Sequence, residues 1–62
     1  MTNLIAFHGL LGMYGWTKQQ HEHEPNLLIL TRDQHRIEIY DHEIAAMPYD
    51  QAYDMLRSGV KP

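Results

Sequence analysis

The sequence predicts an α+β fold: a small antiparallel β-sheet with one C-terminal helix packed on one face. Three observations carry this. Asn26 to Glu43 holds two strand-like runs around a short polar segment. Pro48 to Gly59 holds a helical stripe framed by a proline and a glycine. Residues 1–24 are an apolar segment punctuated by glycine, which suits short elements rather than one long one.

The hairpin rests on pattern. Leu27-Leu28-Ile29-Leu30-Thr31 is apolar and partly β-branched, and Arg36-Ile37-Glu38-Ile39-Tyr40-Asp41 alternates polar and apolar. With the turn centred on Asp33-Gln34, Leu30 faces Ile37 and Leu28 faces Ile39, forming one apolar face. Leu27, Ile29 and Thr31 then face Tyr40, Glu38 and Arg36 on the other. A slip of one residue would exchange the faces. The first run is apolar on both sides, as in a central strand with something against its second face.

The C-terminal helix is predicted over residues 48–58. Tyr49, Ala52, Tyr53 and Leu56 recur at i, i+3, i+4 and i+7. Pro48 suits the first turn, Asp50 the positive end, Arg57 the last turn and Gly59 the C-cap. Residues 60–62 read as a tail. The expected core is Leu28, Leu30, Ile37, Ile39, Tyr53 and Leu56.

Residues 1–24 admit two readings. Leu4, Phe7, Leu11 and Tyr14 fit a helix stripe, but Gly9, Gly12 and Gly15 inside it would cost about 1 kcal/mol each. The alternative is a strand from Leu4 to His8, a turn at Gly9–Gly12 and a longer strand from Met13 to His21. The glycines, with Tyr14 and Trp16, tip the reading to strands. Pro25-Asn26 then turns into the hairpin. The result is a three-stranded meander, with Leu4–His8 as a possible fourth strand.

The bulk numbers bound the function. Sixty-two residues make one small domain. A core of this size supplies only about 3–5 kcal/mol. There is no cysteine, hence no disulfide and no cysteine-rich zinc site. A net charge of −3 gives no general attraction for phosphate backbones or anionic lipid. The apolar run from Leu4 to Trp16 is too short for a membrane span and lacks the basic start of a signal peptide. The expected compartment is the cytoplasm.

Five histidines are the oddity of the composition. In the meander, His21-Glu22-His23-Glu24 and Asp41-His42-Glu43 meet at one end of the sheet, roughly 10 Å apart. His21 and His23 would share a strand face. A divalent transition metal held by His21, His23 and His42 is therefore geometrically allowed. The commoner fate of such residues beside a proline is a solvated turn. His8 and His35 read as surface or turn residues.

Other chemistry is weaker. Gly9, Gly12 and Gly15 match no phosphate loop. Trp16 with Lys18, Arg32 and Arg36 could stack on nucleic acid, but five basic residues stand against eight acidic ones. No nucleophile, base and orienting group can be named together, and no cofactor is implied. The expected function is non-enzymatic: a small cytoplasmic protein that self-associates or binds another protein. A homodimer through Leu27, Ile29, Tyr40, Tyr14 and Trp16 is the expected assembly. A histidine metal module and a nucleic-acid-binding regulator are the alternatives.

Overall fold

The computed structural model describes residues 2–61. Met1 and Pro62, the ends of the expected N-terminal segment and tail, lie outside the described residues. The chain order is α1 (Leu4–Met13), β1 (Thr17–Gln20), β2 (Leu27–Arg32), β3 (His35–Tyr40), α2 (Asp41–Ala46) and α3 (Tyr49–Ser58). The strands form an antiparallel sheet in the order β1-β2-β3. The α+β class, the meander and the C-terminal helix are as the sequence predicts.

The hairpin register matches residue for residue. Leu30 pairs with Ile37, Leu28 with Ile39, Ile29 with Glu38 and Leu27 with Tyr40. Asp33 takes a positive φ of 54° in the turn, a conformation that aspartate tolerates better than most residues. Leu30, Ile37 and Ile39 are buried against Phe7, Leu10 and Leu11 of α1, Ile44 of α2 and Ala52, Met55 and Leu56 of α3. The core lies between the sheet and the helices. Leu28 and Tyr53, expected in its centre, are half-buried at its margin.

The N-terminal strand reading is overturned. Leu4–Met13 is a helix, and the strand expected over Met13–His21 is only Thr17–Gln20. The reason lies at the helix ends. Asn3 caps the start, its Oδ1 accepting the backbone N–H of Ile5 at 2.8 Å and of Ala6 at 3.3 Å. Gly15 ends the helix at φ 78°. Trp16 N–H donates to the Leu11 carbonyl at 2.8 Å and Gly15 N–H to the Gly12 carbonyl at 3.3 Å, the paired bonds of a Schellman motif. Gly15 therefore favours the helix by stopping it, and only Gly9 and Gly12 weigh against it.

Two further differences follow from local chemistry. The third strand stops at Tyr40, and Asp41–Ala46 is a short helix that the sequence reading did not foresee. Glu43 reaches back to accept the Tyr40 N–H at 3.0 Å, satisfying a donor at the start of that helix. In α3 the buried face is Ala52, Met55 and Leu56 rather than the tyrosine stripe, and Pro48 precedes the first turn. Tyr49 is exposed, and its hydroxyl accepts the Asn3 N–H at 3.3 Å.

Gly59 closes α3 at φ 79°, its N–H donating to the Met55 carbonyl at 2.8 Å. A Cβ there would sit 2.7 Å from His35 Cγ. Gly59→Ala is expected to lose roughly 1–2 kcal/mol from the left-handed backbone alone, and more from displacing the imidazole. Urea denaturation of Gly59→Ala with and without His35→Ala separates the two. The double variant should recover the steric part only.

Candidate functional site

The expected metal ligands sit at one end of the sheet, as the meander requires. Tyr40, at the end of β3, donates its hydroxyl to the Glu24 carboxylate at 3.0 Å and so ties the His-Glu-His-Glu stretch to the Asp-His-Glu stretch. This bond, with the nearby Glu24 charge, raises the Tyr40 hydroxyl above the ordinary tyrosine pKa. Glu43 is held below the ordinary glutamate range, first by the Tyr40 N–H and then by Lys61, whose ammonium lies 3.0 Å from its carboxylate. That end of the sheet is knitted by carboxylates acting as acceptors.

The imidazoles do not converge there. Strand β1 ends at Gln20, so alternation no longer governs residues 21–26. The segment is a loop closed by the His21 N–H to the Leu27 carbonyl at 3.0 Å. Within it, His21 Nδ1 accepts the His23 N–H at 3.1 Å. The two rings lie 6.2 Å apart at their centroids. His42 does not join them, its ring stacked on Tyr40 at 5.4 Å. Among the described residues no group of three or more His, Asp or Glu side chains is placed to hold a metal ion.

The residues expected at an interface are divided between the outer sheet face and the core side of the molecule. Leu27, Ile29 and Tyr40 share the outer sheet face, as the register requires. Leu27 is only 8% exposed, and Ile29 stands among Gln19, Thr31, Arg36 and Glu38. Trp16 belongs to the core at 6% exposed, and Tyr14 packs edge-on against Tyr53 at 6.3 Å. Trp16 lies within the core and Tyr14, half-buried, packs against it, and the Trp16 backbone N–H closes back on the Leu11 carbonyl.

The larger apolar surface lies on α1. Its sequence, LIAFHGLLGM, carries one polar residue, His8. Phe7, Leu10 and Leu11 enter the core. Ile5 and Met13 remain 84% and 78% exposed, with Ala6, Gly9 and Gly12 open between them. A Cβ on either glycine would meet nothing within 4 Å. The sequence signal was available: a helix apolar all round is one that is buried on every side. The glycines of the segment mask that signal, because they suit strand and turn as well.

No helix among the described residues is long and apolar enough to cross a membrane. Compared with protein-family models, with curated proteins and with solved structures, the chain matches none.

Proposed function

We propose that this chain is a non-enzymatic protein that works by self-association, and that copies meet through the outer face of α1. The observation that carries the reading is an apolar helix with one apolar face uncovered. Contiguous apolar surface rimmed by polar residues marks interaction sites in soluble proteins. The outer sheet face is the lesser candidate, because polar groups surround Ile29.

A second copy suits the face better than a partner of another kind. The pattern is symmetric about Gly9, with Ile5 four residues before it and Met13 four after. In an antiparallel pair centred there, Ile5 meets Met13 of the second copy twice, and Ala6 meets Gly12 twice. The small residues let the helix backbones approach, and the large ones close the ends. Such reciprocal contact is what a two-fold dimer requires. The face holds no charge that would favour an acidic or basic partner. The cytoplasm is the compartment we propose, since a chain without cysteine forgoes the disulfides of oxidising compartments.

Light scattering at micromolar concentration is expected to give about twice the 7.3 kDa chain mass. The double variant Ile5→Glu, Met13→Glu should give the single mass with an unchanged circular dichroism spectrum. A monomeric parent would refute self-association. A dimer that survives the double variant but is lost with Ile29→Lys would move the interface to the sheet.

A further inference from the structure

One strand breaks the pattern of the sheet. On the inner face β2 and β3 present Leu28, Leu30, Ile37 and Ile39, but β1 places Lys18 beside Leu30 and Gln20 beside Leu28. An inner-facing lysine and glutamine do not fill space against a core. They line an open-sided cavity of about 370 Å³, whose other walls are His8, Pro25, Leu28 and Asp41. That volume falls in the range of small-molecule sites. Residues that break a local rule of the fold are where function is expected.

The cavity carries opposite charges on an apolar floor. The Lys18 ammonium lies 2.9 Å from His8 Nδ1. Lysine can only donate, so Nδ1 is the acceptor in this contact, and Nε2 is the ring nitrogen left to face a ligand. Lys18 keeps two N–H groups, and the His8 ring lines the cavity beside it. Gln20 gives its amide N–H to the Pro25 carbonyl, which leaves its carbonyl oxygen as an acceptor. Asp41 adds a carboxylate. No ion pair among the described residues uses Lys18 or Asp41. Leu28, half-buried, and Pro25 supply the apolar surface.

We propose that this cavity binds a small zwitterionic amino acid with an aliphatic side chain. Its carboxylate meets Lys18 and His8, its ammonium meets Asp41 and the Gln20 carbonyl, and its side chain lies on Leu28 and Pro25. A simple anion would leave Asp41 unmatched and a simple cation would leave Lys18 unmatched. A zwitterion satisfies both and leaves the net charge unchanged.

The test is a titration of the isotope-labelled full chain with L-alanine, L-valine and L-leucine, read by amide resonances. Valine or leucine should move the resonances of Lys18, Gln20, Leu28 and Asp41 saturably, with a Kd below about 1 mM. Acetate and propylamine, each carrying one of the two charges, should bind at least about tenfold more weakly. Lys18→Met and Asp41→Asn should each weaken the amino acid by about tenfold while the dichroism spectrum is unchanged. Three outcomes would overturn the proposal: no saturable shift with any amino acid at about ten times that concentration, acetate binding as tightly as leucine, or full affinity in Lys18→Met. The last would leave Lys18 as a guard against edge-to-edge strand pairing.

Discussion

Leu30→Ala is expected to destabilise the chain by about 2–5 kcal/mol, most of what a domain of this size possesses. Leu30 is fully buried, in the central strand, paired with Ile37 on one side and Lys18 on the other. All three helices contribute to the cluster around it, so no single element can shift to refill the space. Leu28 provides the control. It lies two residues away on the same strand and the same face, but it is half-buried beside the cavity. Its truncation leaves a hollow that water already reaches, and Leu28→Ala should cost less than about 2 kcal/mol. Urea midpoints at equal protein concentration decide the matter. Equal losses at the two positions would mean that the helices do not lie over the sheet as described.

What was legible in the sequence was whatever has a short period and a sharp boundary. The hairpin register could be read because a slip would turn Ile37 and Ile39 to solvent. Helix α3 could be read from Asp50, Arg57 and Gly59, which mark its ends. Its rotation could not. The tyrosine stripe and the Ala52-Met55-Leu56 face overlap on the helix surface, and tyrosine is satisfied at a margin where its hydroxyl stays wet. The start of the chain failed for a different reason. Gly9, Gly12 and Gly15 look alike in the sequence, although Gly15 is the residue that lets Trp16 and Leu11 close the helix end. Asn3, the N-cap, stood in plain view. The meander order places the histidine stretches at one end of the sheet, but alternation does not orient their side chains past Gln20, where the strand has ended. The cavity was not legible, since it depends on β1 pairing Lys18 and Gln20 with leucines.

Trp16→Ala is the other large effect, expected at about 3–5 kcal/mol. The indole fills the junction where the C-terminal ends of α1 and α3 meet the end of β2. Such ends leave carbonyls without partners inside their own helices. Trp16 Nε1–H donates to the Leu56 carbonyl at 2.9 Å. Arg32 donates to the carbonyls of Tyr14 at 3.1 Å, Leu56 at 2.7 Å and Arg57 at 3.1 Å. The guanidinium also lies 4.6 Å above the indole ring, within range of a cation–π contact. One residue from the strand and one from the turn therefore tie two helices to the sheet. Trp16→Phe keeps much of the apolar volume and loses the indole N–H, so it should cost about 1 kcal/mol more than its volume change implies. Arg32→Met should be felt at both helix ends at once, as faster amide exchange around Tyr14 and around Leu56. In the double variant Trp16→Phe, Arg32→Met the losses should depart from additivity by at least about 0.5 kcal/mol, because both residues hold the Leu56 carbonyl and touch each other. Strict additivity would mean that the ring and the guanidinium act independently and that the junction is ordinary packing.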